Sequence, residues 1–289
     1  MIKRVIKSFL KIVKEFYFLL EWGLRFIFIH KRYESIDEIA ENIIVIGNGP
    51  SLNELDLELL NDGSFEFLCV NFFGIDETKF FSIRPKYYCI IDPIFYNEIE
   101  KQNYPQIAQL EKIFLKVDWD MNIICLHNQT CRIDNKYIKS IRINSYLYRG
   151  NWNKVKYFLY RNNLASYSYQ NVINAAIYYL ITAKAKTIAL AGVDNDWHKE
   201  LKVNIDNEVI REVNHFYGTE LINVIEKGEI NKGELYKYFY WYYITLYSYY
   251  EASNYSKARE VKILNLSENS YIDVFEKITV EKLQEKDRS

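Results

Sequence analysis

Residues 43–46 read Ile-Ile-Val-Ile and run straight into Gly47-Asn48-Gly49-Pro50-Ser51. Four β-branched residues in succession leave no polar face, so the strand they form is covered on both sides, as a strand inside a parallel sheet is. The residues that follow stop it at once. Glycine accepts backbone conformations closed to other residues, Pro50 holds its own φ, and Ser51 can cap a helix expected over 53–60. The stretch therefore reads as strand, tight loop and helix, with loop amides free to face an anion and Gly47 and Gly49 letting a ligand come close. Leu52 stands where a dinucleotide-binding GxGxxG loop has its third glycine, and no Gly-Lys-Ser/Thr follows, so neither common phosphate-loop pattern applies.

The alternation continues along the chain. Strands are expected near 43–47, 66–70, 86–91, 122–126, 140–143, 187–191 and 261–265, and helices near 53–60, 95–111, 168–182 and 271–284. This order implies an α/β fold with a doubly wound, mainly parallel, Rossmann-like sheet, whose ligands lie beyond the carboxyl ends of the strands. At 49% hydrophobic residues over 289 positions, the chain has ample material for its core. The strand ends carry Gly47-Asn48-Gly49, Asn71, Asp92-Pro93 and Gly192-Val193-Asp194. Small residues, amides and carboxylates in these places suit a ribose and a base, which need hydrogen bonds more than charge.

Residues 1–40 stand apart from the nucleotide-binding domain expected over 41–289. Up to residue 32 the segment carries eight basic side chains against Glu15 and Glu21, while the whole chain has a net charge of −1. Ile2, Val5, Ile6, Phe9, Leu10, Val13, Phe16 and Tyr17 follow helical spacing, with Lys3, Lys7, Lys11 and Lys14 on another face. Glu21 and Arg25 interrupt the only stretch long enough to span a bilayer, and no small-residue cleavage site marks a signal peptide. An amphipathic helix lying on an anionic membrane surface is the expectation. The near-zero net charge gives no general attraction to nucleic acid. Cys69, Cys89, Cys125 and Cys131 form no CxxC pair, which points to reduced thiols in a cytosolic setting.

A long insertion, about 195–257, separates the last two expected strands and contains the tract from Tyr236 to Tyr250. An insertion at the ligand end of such a sheet acts as a lid. The aromatic tract could stack on sugars or sit at a membrane interface, and the reading taken is a helix packing on the body of the protein or on another copy in a homo-oligomer.

Taken together, these motifs resemble the small bacterial sialyltransferases of glycosyltransferase family 42. The family's opening Gly-Asn-Gly-Pro-Ser-Leu is present as Gly47 to Leu52, its asparagine after the second strand as Asn71, and its Asn-Pro after the third as Asp92-Pro93. Its Ser-Gly-Ile-Asp strand end is matched by Ala191 to Asp194, and its final Asn-Ser turn by the run Ile263 to Phe275. The similarity covers about 43–275. It implies a GT-A-like variant of the fold, a CMP-sugar donor, inversion at the anomeric carbon, no metal or other cofactor, and a histidine base. It further implies an oligosaccharide or lipid-linked acceptor; with the N-terminal helix and the unpaired cysteines, the expected place is the cytoplasmic face of a bacterial membrane.

On that resemblance Gly47, Asn48, Gly49, Ser51, Asn71, Asp92, Gly192 and Asp194 bind the donor and His215 is the base. The chain departs from the family in two places. His215 stands four residues before the family's histidine position, which Thr219 occupies, and the family's donor-phosphate tyrosines are replaced by Asn195, Asp196 and Trp197. His30, His127 and His198 are the remaining imidazoles, the group whose ordinary pKa suits deprotonation of a hydroxyl. Asp194-Asn195-Asp196 also spells the D-x-D of metal-dependent transferases. The alternative reading is an ATP- and magnesium-dependent diphosphotransferase resembling the archaeal pterin pyrophosphokinases, with those aspartates as ligands.

Overall fold

The computed structural model describes residues 2–29, 34–97, 101–131, 133–215, 218–223 and 230–287. Eight strands form one sheet: β1 (Asn42–Ile46), β2 (Glu66–Val70), β3 (Tyr87–Cys89), β4 (Met121–Leu126), β5 (Ile138–Ile143), β6 (Thr187–Ala191), β10 (Lys262–Asn265) and β11 (Glu276–Lys277). Their order is β11-β10-β6-β1-β2-β3-β4-β5, and every pairing among them is parallel. The chain builds outward from β1 to β5, then returns to lay β6 along the other side of β1. The order of the strands therefore reverses between β1 and β6, the place where the loops on the carboxyl side part and leave a crevice.

Alternate residues of each strand feed two cores. Ile43, Val45, Leu68, Ile188 and Leu190 face one side, and Ile44, Ile46, Phe67, Ala189 and Ala191 the other. This is the packing that an unbroken apolar run demands. Helices α2 (Leu57–Leu60), α3 (Glu77–Ile83), α4 (Pro105–Leu115) and α8 (Val280–Asp287) cover the second face, and α5 (Asn153–Arg161), α6 (Val172–Thr182) and α7 (Tyr236–Arg259) the first. From Ile173 to Thr182 every residue of α6 is buried. The aromatic tract forms α7, a helix packed on α6, and Tyr178 Oη donates to the carbonyls of both Tyr160 and Ala165 beneath it.

Several expected helices shift. The first begins only at Leu57, because Pro50–Glu54 winds as a 3₁₀ turn and Asp56 accepts the amides of Glu58 and Leu59 as the helix cap. The second starts at Pro105, whose missing N–H costs nothing at a first helical position. The third starts at Val172, capped by the Asn171 side chain on Asn174 N. The last gives its first residues to β11 and starts at Val280. All four cysteines are free, and burial pushes the Cys125 thiol up to about 11.

The N-terminal segment is helical over α1 (Ile2–Ile29). Among the described residues no helix is long and apolar enough to cross a membrane. One side of α1 is docked. Glu15, 1% exposed, accepts the amides of Asn151 and Trp152 at the start of α5, where the positive end of that helix favours a carboxylate. Trp22 Nε1 donates to Leu164 O, and Phe18 and Leu19 pack on the core.

The insertion between β6 and β10 contains a second, antiparallel sheet, β7 (Leu201–Val203), β8 (Val209–His215) and β9 (Gly218–Asn223). It has a small core of its own, Val209, Ile230 and Tyr238, and Arg211 pairs with Glu200 at 3.0 Å.

Candidate functional site

A cleft of about 260 Å³ opens at the carboxyl ends of β1, β2 and β6, where the strand order reverses. Gly47, Asn48, Gly49, Asn71, Gly192 and Asp194 all line it. They come from three segments far apart in sequence. The amide side chains of Asn48 and Asn71 enter from neighbouring strand ends, and each has an Oδ1 without a partner in the chain. Asn71 holds φ at +45°, a left-handed conformation that asparagine tolerates better than other non-glycine residues. Its carbonyl accepts from Tyr88 Oη at 2.6 Å, which fixes the turn.

The glycines also serve a purpose inside the chain. A β carbon on Gly47 would lie 2.3 Å from the carbonyl oxygen of Gly192, and one on Gly49 would lie 2.3 Å from Asp194 Oδ2. They allow the loop after β1 to touch the loop after β6, and both also line the cleft. Gly192 has φ +66° and completes the same contact, and Gly49 N donates to its carbonyl.

Asp194 and Ser51 belong to this joint. Asp194, 6% exposed, accepts Ser51 N through Oδ2 at 3.0 Å, while its Oδ1 has no partner. Ser51 Oγ hydrogen-bonds Ser267 Oγ, which also takes Val193 N. Ser270 Oγ donates to Val193 O, and Tyr271 N donates to Asp194 O. The final Asn-Ser turn thus clamps the β6 exit from behind. Ser51 is buried in that clamp and does not line the cleft. Asp92 does not line it either: its carboxylate accepts Ile94 N and caps the 3₁₀ turn Pro93–Phe95 after β3.

Asn171, at the N-cap of α6, went unnoticed in the sequence. It lines the cleft with Val172 and Ile173, so the amino end of an eleven-residue helix faces the Gly47–Gly49 loop across the opening. Its signal was present: an asparagine immediately before an apolar run is the mark of a helix start. Backbone amides and the positive end of the helix at such a place attract a phosphate.

The far wall is the base of the insertion, with Asn195, Asp196, Trp197 and Glu200. Asn195 also has a positive φ, +52°, and its carbonyl accepts from Tyr242 Oη. Burial, followed by the neighbouring Tyr271 and Asp196, pushes the Tyr242 phenol up to about 12. His198 lies between the rings of Tyr242 and Tyr271, with Nδ1 unpartnered. The D-x-D aspartates diverge. Asp194 turns to Ser51 N while Asp196 faces Lys199 at 3.9 Å, and among the described residues no three His, Cys, Asp or Glu side chains form a metal-binding group.

His127 is held by Tyr146 Oη at 2.6 Å and Ser145 Oγ at 3.3 Å beyond β4 and β5, at the edge of the sheet. The backbone of His215 ends β8, paired with Gly218, but its side chain lies outside the described residues, as does all of His30.

No family model matches the sequence, and no curated protein does. Solved structures do match. The sialyltransferase CST-II in complex with a trisaccharide acceptor and CMP is 13% identical, with a TM-score of 0.44 over 83% of this chain and 86% of that one. The monofunctional alpha-2,3-sialyltransferase Cst-I from Campylobacter jejuni is 18% identical, with a TM-score of 0.40 over 84% and 83%. CstII from Campylobacter jejuni in complex with the substrate analogue CMP-3FNeuAc is 16% identical, with a TM-score of 0.39 over 83% and 86%. Its structural neighbours are sialyltransferases.

Proposed function

We propose that the chain is a glycosyltransferase that takes a sialic-acid-like sugar from a CMP-sugar and passes it, with inversion and without a metal, to a polysaccharide or lipid-linked oligosaccharide. The observation that carries this reading is the cleft, where the amino end of α6 and the Gly47–Gly49 loop face each other beside the unpartnered oxygens of Asn48 and Asn71. A nucleoside monophosphate needs that combination: amides and a helix dipole for the phosphate, and hydrogen-bond acceptors for the base or ribose. The opening motif supports the family reading, and the names of the neighbouring structures agree with it. In this reading Gly47, Asn48, Gly49, Asn71, Gly192 and Asn171 surround the nucleotide. Ser51 and Asp194 hold the loop, and Asp92 caps the turn after β3.

His215 takes the proton of the acceptor hydroxyl. The acceptor oxygen then bonds to the anomeric carbon as the bond from that carbon to the donor's phosphate oxygen breaks, and CMP leaves with its charge facing the amides of α6. Calorimetric titration with CMP, UDP and ATP, with and without magnesium, tests the reading. CMP is expected to bind without metal. Binding of ATP alone, and only with magnesium, would replace this reading by the diphosphotransferase.

The membrane is the second part of the proposal. Ile6, Leu10, Val13, Tyr17, Leu20, Leu24 and Ile27 recur at alternating spacings of four and three, and all are exposed. They form one apolar stripe on α1, away from the side docked through Glu15 and Trp22. Lys7 and Lys14 flank it on one side, with Phe9 and Phe16 on the other. A second copy lying parallel on the stripe would set those lysines against aromatic rings, whereas an anionic bilayer meets both the charge and the apolar face. Removal of residues 2–32 should abolish cosedimentation with phosphatidylglycerol vesicles, and salt should weaken the binding of the intact chain. Full binding by the shortened chain would refute this part.

A further inference from the structure

A second cavity, about 240 Å³, lies between α5, α7 and the loop 147–151. Tyr148, Tyr160, Tyr167 and Tyr247 line it, together with Lys156 and Glu251, an ion pair at 2.7 Å whose side chains are almost wholly buried. Tyr148 is 3% exposed and its hydroxyl has no partner. The phenol folds over Gly150, where a β carbon would meet its oxygen at 2.3 Å, so the glycine is what admits the ring to this position. An unused hydroxyl in a buried place is an open hydrogen-bonding site.

The cavity adjoins the cleft. Ser168 lines one and Asn171 the other, three residues apart, and on α7 the consecutive Ser248 and Tyr249 do the same. A row of exposed tyrosines leads to it. Tyr236, Tyr240, Tyr243, Tyr247 and Tyr250 follow each other at spacings of four and three along α7. The rings of Tyr243 and Tyr247, and of Tyr247 and Tyr250, lie 6.0 Å apart. On a helix this row advances by about 5 Å per ring.

We propose that this cavity and the tyrosine row form the acceptor subsite, holding the inner, uncharged saccharides of the glycan while its end reaches the cleft. The apolar face of a pyranose packs on aromatic rings, and its hydroxyls take the phenol of Tyr148 and the free lone pairs and hydrogens of the Lys156–Glu251 pair. The pair is neutral as a whole, so a neutral ring leaves it intact, while an anion would compete with Glu251 for Lys156 and leave that carboxylate buried and unpaired. The proposal depends on the transferase reading for its purpose but not for its geometry.

Saturation-transfer NMR on the full chain without donor, with lactose and lacto-N-tetraose as probes, tests it. Signal on the tetrasaccharide is expected from the wild type and from Tyr104→Ala, an exposed tyrosine on another part of the surface, and at least a fivefold weaker signal from Tyr247→Ala. CMP titration of the same samples should give equal affinity for all three. No transfer to either sugar, or equal transfer from Tyr247→Ala, overturns the subsite even when CMP binds. A sugar signal that depends on Tyr247 in a chain that does not bind CMP upholds the subsite and refutes the nucleotide reading. If Tyr243→Ala converts a dimer to a monomer in sedimentation, the row is a contact between copies and the proposal fails.

Discussion

Gly47→Ala tests whether the joint between the β1 and β6 loops holds the cleft in shape. The new methyl carbon would stand 2.3 Å from the Gly192 carbonyl oxygen and 3.0 Å from a methyl of Val193. Relief requires the two strand exits to part by about an ångström to reach ordinary contact. The nearest bonds across the joint are Gly47 N to Ala191 O at 2.8 Å and Gly49 N to Gly192 O at 2.9 Å, and that movement stretches both out of range. Two backbone hydrogen bonds at about 1 kcal/mol each, with overpacking of about 1–2 kcal/mol, give a loss of about 3 kcal/mol. In a chain of this size, at about 2.1 cal/mol/K of unfolding entropy per residue, that lowers the melting midpoint by about 5 °C. Gly23→Ala is the control, because a methyl there meets nothing within 4 Å and alanine is the better helix former. Its midpoint should equal or exceed that of the wild type. Differential scanning calorimetry gives both values, and CMP titration of Gly47→Ala below its transition should show at least tenfold weaker binding. A Gly47→Ala midpoint within about 2 °C of the wild type, well short of the expected shift, would mean that the loops part freely and that the glycine is not needed for their contact.

Removing the general base should slow transfer by about 10²–10⁴-fold, so His215→Ala is expected to lose turnover in a direct assay while its CMP affinity stays the same; a loss within about threefold would assign the base elsewhere. Glu15→Ala removes the carboxylate that accepts Asn151 N and Trp152 N, costs about 2–3 kcal/mol locally, and should speed hydrogen exchange in α1 and the first turn of α5 without changing exchange in β1. Burial raises the phenols of Tyr160, Tyr167, Tyr169 and Tyr178 well above their ordinary value. Because the folded chain keeps these protons to higher pH than the unfolded chain, their contribution to stability is complete below about pH 10 and falls above it by about 1.4 kcal/mol per pH unit for each phenol. The four should therefore ionise together in one steep alkaline transition coincident with loss of circular dichroism, and gradual ionisation ahead of unfolding would contradict their burial.

The strands were legible because burial on both faces writes an unbroken apolar run: Ile43 to Ile46, Phe67 to Val70 and Ile188 to Ala191 all became strands within a residue or two of their expected places. Helix α1 was legible from its spacing for the same reason, since a face that meets an apolar phase must repeat with the turn of the helix. The sheet β7–β9 was not legible, because Leu201-Lys202-Val203 alternates over only three residues and Val209-Ile210-Arg211-Glu212-Val213 does not alternate at all, so the charged insertion looked like loop.

What the glycines, Ser51 and Asp194 touch was decided by tertiary structure alone. The motif shows that small residues are needed after β1, but not that their neighbour is Gly192, about 145 residues further along the chain. That depends on β6 pairing with β1, a partner chosen by the whole sheet when its order reverses. The same choice makes Asp194 the acceptor for Ser51 N and brings the start of α6 to the cleft. Local sequence carries propensity and periodicity, which act over a few residues. Which loop a loop touches is set by the packing of elements distant in the chain, and the chemistry of this cleft is made of such contacts.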